Sequence, residues 1–170
     1  MNKLMQLLSG GDLRSIGNSE SLVSAVQSQV DFDNLFALLY HPERIIVMRV
    51  ADTIEKITAT RPELLATHKG SIFELIHQAK NKELKWHLAL LIPRLSLDQQ
   101  ELAQAWDILR DWAKDQTNSR IVRVNSTQGL FELMKWDSRR REEFLHLLEE
   151  LQKEKIPSLT ARIKKLWNKT

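Results

Sequence analysis

Val47-Met48-Arg49-Val50-Ala51-Asp52-Thr53-Ile54-Glu55-Lys56-Ile57 is the stretch that decides the fold. Val47, Val50, Ala51, Ile54 and Ile57 recur at steps of three and four residues, which places them on one stripe of an α-helix. From Met48 onward the stretch can be laid over Trp86-His87-Leu88-Ala89-Leu90-Leu91-Ile92-Pro93-Arg94-Leu95, an offset of 38. Apolar residues then coincide at the first, third, fourth, seventh and tenth places. A further shift of 36 lands on Val122-Arg123-Val124-Asn125 and reaches Phe131 at the tenth place. This third copy is poorer, because Asn125 and Gln128 stand at apolar places. The preceding helices repeat as well: Phe36 and Leu39 lie 37 residues before Phe73 and Ile76. A period of 36–38 with two helices per unit is that of a helical solenoid, in which each hairpin buries its apolar face on the next.

Working outward, nearly everything from Ser19 onward reads at helical period. Residues 20–30 place Leu22, Val26 and Val30 on one face, and Asp33 is a cap for a short helix carrying Leu35, Phe36, Leu38 and Leu39. His41-Pro42 ends that helix, since the residue before a proline is pushed out of the helical region. The next helix spans about 43–59 and stops at Arg61-Pro62. Lys69-Gly70 breaks the chain, Ser71-Ile72-Phe73-Glu74 reads as a capping box, and Asn81 as a stop and restart. Ser96-Leu97-Asp98-Gln99 is a second capping-box candidate. Behind it Leu102, Ala105, Trp106, Leu109, Trp112 and Ala113 form the cleanest amphipathic stripe in the chain. The helix over 120–136 has a polar, small-residue centre from Asn125 to Gly129. Asp137-Ser138 caps 139–152, with Phe144, Leu148 and Leu151 inside, and Pro157 opens a last helix with Leu159, Ile163, Leu166 and Trp167. Residues 1–18 read as an N-terminal turn and flexible lead-in, and 19–170 as one helical domain.

Composition agrees with a helical chain. Five Gly and four Pro in 170 residues leave few turn residues for a sandwich or barrel, while 42% hydrophobic residues suffice for a continuous core. With no cysteine, disulfides and thiolate zinc sites are excluded. Met1 to Leu8 is too short for a signal segment, and no run approaches the roughly 20 apolar residues of a membrane span, so a cytoplasmic protein is expected. The net charge of +3 is uneven: Lys135 to Thr170 carries ten Lys/Arg against six Asp/Glu.

The repeat resembles HEAT repeats. The 47–57 stretch is similar to a HEAT second helix, with the small Ala51 where helices approach closely, and Pro62-Glu63-Leu64-Leu65 resembles the start of the next unit. Over residues 20–170 the chain is similar to small stand-alone bacterial HEAT-like proteins of no assigned activity. The resemblance implies an all-α, armadillo-type fold, a right-handed α-α superhelix of about three to four helical hairpins. The departures are the polar centre at 125–129 and the consecutive Arg139, Arg140 and Arg141.

No catalytic motif emerges. His41, His68, His77, His87 and His146 form no HExxH and no set at metal spacing, and no phosphate-cradling glycine loop is present. Some DNA glycosylases share a HEAT-like fold, but Trp106 and Trp112 lie on the core stripe and read as packing. Arg49 and Asp52, three apart, are a candidate ion pair. The expectation is a binding or scaffold module with no cofactor, metal or small-molecule substrate and an unknown protein partner; nucleic-acid binding is the alternative. In a stack of hairpins, equivalent turns line up along one edge. The turns near 41–44, 80–85, 117–123 and 153–155 carry Arg44, Lys80, Lys82, Lys85, Arg120, Arg123, Lys153 and Lys155, a candidate partner-binding rim. Glu43, Glu83, Asp115 and Glu154 sit among them and are expected to halve its charge.

Overall fold

A computed structural model describes Leu8 and residues 19–170. The lead-in expected at 1–18 lies, Leu8 apart, outside the described residues. Among the described residues the fold is all-helical, without strands. The chain gathers into two compact units, Met1–Gln78 and Ala79–Thr170.

In the first unit, α1 spans Ser19–Ala25 and α2 spans Gln29–Phe36. Helix α2 starts at a capping box: the Ser28 hydroxyl accepts from the Asp31 N–H, and the Asp31 carboxylate accepts from the Ser28 N–H. The cap is therefore Ser28. Asp33, expected as the cap, lies inside the helix and takes His68 Nε2 at 2.7 Å and Gln29 Nε2 at 2.7 Å. The break at 26–28 also turns Val30 away from the predicted stripe, leaving it 67% exposed. A 3-10 turn, Ala37–Tyr40, leads to extended His41 before Pro42, and α3 follows at Arg44–Thr58. The predicted stripe of α3 is buried throughout. Arg49 and Asp52 do not pair with each other: Arg49 Nη1 donates to the Leu8 carbonyl, and Asp52 takes Lys56 at 2.6 Å, four residues on. After a 3-10 stretch, Pro62–His68, α4 covers Lys69–Gln78. Ser71 is thus inside the helix and caps nothing. The His68 ring stacks on Phe36 with centroids 3.9 Å apart.

The second unit holds α5 (Lys82–Leu91), α6 (Gln99–Lys114), α7 (Arg120–Met134), α8 (Arg141–Lys153) and α9 (Pro157–Trp167). Asn81 stands at the N-cap of α5. Asp98, two residues beyond the predicted Ser96, caps α6 in a box with Glu101. Asp137 caps a 3-10 turn, Ser138–Arg140, that precedes α8. Pro157 occupies the first turn of α9 as predicted; Leu159, Ile163 and Leu166 are buried and Trp167 is 40% exposed.

Helix α7 is central and packs against α5, α6, α8 and α9. That position accounts for its polar composition. Ser126 and Thr127, both fully buried, donate their hydroxyls to the Val122 and Arg123 carbonyls four residues back, so no hydroxyl is stranded. Asn125 Nδ2 donates to the Trp86 carbonyl at 3.1 Å. Gly129 lets the backbones of α5 and α7 come close. Leu88, Ile92 and Leu109 are fully buried as expected, and truncating such a leucine typically costs about 2–5 kcal/mol. Trp106 is also fully buried, with its indole N–H on Glu143 at 2.8 Å, in keeping with packing. No described helix is long and apolar enough to cross a membrane.

Candidate functional site

Three turns of the second unit meet at one edge, and side chains one turn inside the helices tie them together. Lys85, on the first turn of α5, donates to Asn118 Oδ1 at 3.1 Å and lies 5.4 Å from the Trp112 ring centroid. Asn118 in turn donates to the Trp112 carbonyl near the end of α6. The connection from α6 to α7 is shaped by Asp115, whose carboxylate accepts the Thr117 N–H at 2.9 Å and hydroxyl at 2.6 Å. These bonds, the hydroxyl foremost, hold the Asp115 carboxyl below its ordinary range, with smaller help from Lys85 and Arg123. Ser119 then caps α7.

Arg123 is the second tie. Its Nε donates to the Ala113 carbonyl at 2.7 Å, and its two terminal nitrogens grip the Glu154 carboxylate at 2.9 and 2.6 Å. The turns at 79–81, 115–119 and 154–156 are thereby joined along one edge.

Arg123 was expected among the solvated rim cations, and the structure overturns that: it is 2% exposed. The reason is positional. One turn into α7, it faces the free carbonyls at the end of α6, and only the forked guanidinium can satisfy a carbonyl and a carboxylate together. Of the carboxylates expected to halve the rim's charge, Glu154 pairs with Arg123, Glu83 is 6% exposed, and Asp115 is exposed, accepts from Thr117 and still acts on Lys85 and Arg123. Lys85 is half-buried. Lys80, Lys82, Arg120, Lys153 and Lys155 are exposed, and their side chains make no hydrogen bond or ion pair among the described residues. The Lys153 charge acts on the nearby Glu150. Lys155 also has φ 55, a left-handed conformation at the helix end where glycine is usual. Arg44, the remaining predicted rim residue, is exposed at the start of α3 in the first unit.

Arg139–Arg141 follow α7 at its other end. Arg139 grips Asp137, Arg140 lies over the Trp106 ring at 4.9 Å, and Arg141 donates to the Thr170 carbonyl. Beside them stands Trp136, 75% exposed, which the sequence reading did not single out. Its signal was there: a large apolar residue placed past the last stripe position and before the Asp137-Ser138 cap.

Among the described residues no group of three or more His, Asp or Glu is placed to hold a metal ion. No family model, no curated protein and no solved structure significantly matches this chain.

Proposed function

We propose that this chain is a non-catalytic binding module, a right-handed stack of HEAT-like helical hairpins, whose partner is a protein with an acidic segment lying along the basic edge of the second unit. The observation that carries the reading is the charge at that edge: five exposed cations, Lys80, Lys82, Arg120, Lys153 and Lys155, beside a Glu154 carboxylate that the buried Arg123 already holds. Such an array raises the local concentration of an anionic partner and speeds its association. Lys155 adds to it, because a non-glycine residue at positive φ costs roughly 1–2 kcal/mol and yet a lysine stands there. Ile121, 43% exposed beside Arg120, favours a protein segment over a nucleic acid. A peptide brings apolar side chains to it, whereas a phosphodiester backbone brings only charge.

The test reverses Lys82, Arg120 and Lys155 to Glu together. Lys82 and Arg120 open helices α5 and α7, where a carboxylate is favoured by the helix dipole, so the fold should hold with stability unchanged to within about 0.5 kcal/mol. Affinity for a fluorescein-labelled peptide of alternating Glu and Ile, measured by anisotropy, should fall by about tenfold or more, a loss of about 1.4 kcal/mol. An undiminished affinity removes the edge from consideration. Preferential binding of an oligothymidylate, weakening steeply with salt, transfers the edge to nucleic acid.

A further inference from the structure

Trp136 is the most exposed large apolar side chain among the described residues. It follows α7, about 20 Å along the helix from Arg120 at the opposite end. Its backbone is held firmly. The Trp136 N–H donates to the Leu133 carbonyl at 3.0 Å, the Asp137 N–H to the same carbonyl at 3.3 Å, and Asp137 caps the turn that follows. A held backbone carrying an exposed indole has little left to order on binding, which is the economy of an interface anchor.

Two grooves flank the indole. One, of about 610 Å³, runs between α5 and α7 with Leu90, Pro93 and Gly129 in its lining. The other, of about 280 Å³, lies towards Leu97 and Leu102 at the start of α6. The polar groups beside the indole are unequally committed. Glu132 accepts from Gln128 at 2.7 Å through one oxygen and from Lys135 at 2.6 Å through the other. Asp137 gives both oxygens to Arg139, at 2.7 and 3.1 Å. Lys135 and Arg139 are 54% and 76% exposed and keep further N–H groups directed to solvent. An arriving carboxylate meets open donors, while an arriving cation meets acceptors already engaged.

We infer that this end of the second unit is a peptide-docking site. An extended partner segment seats an aliphatic or aromatic side chain against Trp136, Pro93 and Leu90, and a neighbouring Asp or Glu meets Lys135 and Arg139. The assignment rests on the binding-module reading but on residues distinct from the basic edge. A nucleic-acid strand is disfavoured here. Strand binding uses successive aromatic faces, and the nearby Phe131 and Trp106 are buried.

The experiment uses the full chain bearing the three edge reversals as background, so that edge and groove separate. Its probe is a fluorescein-labelled peptide with a Leu-Phe pair flanked on each side by glutamates. Binding should survive the edge reversals. Adding Trp136→Ala should weaken it by about tenfold or more, Trp136→Phe should recover most of the loss, and a peptide with Ala-Ala in place of Leu-Phe should bind as weakly as the alanine variant does. Trp136 is exposed, so an unchanged melting temperature is the control for folding. The assignment is overturned if Trp136→Ala leaves the affinity unaltered, if the peptide does not bind the background at about 1 mM, or if only an oligothymidylate responds to Trp136→Ala. Loss of all binding on edge reversal alone leaves the basic edge standing and removes the groove.

Discussion

At position 129 a Cβ would sit 2.5 Å from the Ala89 carbonyl oxygen and 2.8 Å from Leu109 Cδ1. The first of these is backbone and cannot swing aside. Alanine in a helix interior is ordinarily better than glycine by about 1 kcal/mol. Here overpacking at the α5–α7 crossing, typically about 1–3 kcal/mol, should outweigh it. Gly129→Ala is therefore expected to lower the urea midpoint, and a raised midpoint would mean the crossing is looser than the structure has it. A glycine inside a helix marks either a close crossing or a break, and here it is the crossing. Arg123 was not legible. Nothing in Arg120-Ile121-Val122-Arg123 distinguishes the exposed first arginine from the buried second, because the difference is made by Glu154, 31 residues away.

Among the elements, α2 shows how a local cap outranks a stripe. Leu22, Val26 and Val30 fit one helical face, but Ser28 and Asp31 offer two backbone N–H groups a partner and start a new helix there. The Ser28 hydroxyl, then the Ser28 and Gln27 N–H groups, hold the Asp31 carboxyl below its ordinary value of 3.8. Since the folded value is the depressed one, the contribution is fully present above the ordinary value and is lost as pH falls through the folded value. Asp31→Asn should therefore lower stability at neutral pH, and the gap between native and variant should close on acidification below about pH 4. Acid unfolding curves that stay parallel for the two proteins would show that the cap carboxylate contributes nothing. Helix α6 makes the same point about register. Its capping box was legible as a motif, but Asp98 and Glu101 form it rather than Ser96 and Gln99, since both windows satisfy the same short pattern.

For the whole molecule, the second unit is organised around α7, whose helical neighbours α5, α6, α8 and α9 all belong to the same unit. Leu88, Leu109, Leu130, Phe144, Leu148 and Leu159 are fully buried within it. A fragment of residues 79–170 should thus fold alone, with helical circular dichroism and a single cooperative thermal transition. A fragment that melts gradually, without cooperativity, would show that this core is incomplete. The basic edge belongs to this scale too. It exists because three turns distant in sequence are bound together by Lys85–Asn118 and Arg123–Glu154.

While Trp112 of the 102–113 stripe is only half-buried, the helical class, the buried stripe at 47–57 and the burial of Leu102, Ala105, Trp106, Leu109 and Ala113 were legible in the sequence alone. Each follows from local periodicity or from turn and cap chemistry, which act over a few residues. Tertiary structure decided the rest: which arginine is buried and that it holds Glu154, why α7 tolerates Asn125, Ser126, Thr127 and Gly129 at its centre, and that Trp136 stands in solvent. These depend on what another helix brings to the same place. Periodicity assigns a residue to a face, whereas a buried charge is settled by the one partner that can satisfy it, and that partner is found only once the chain has folded.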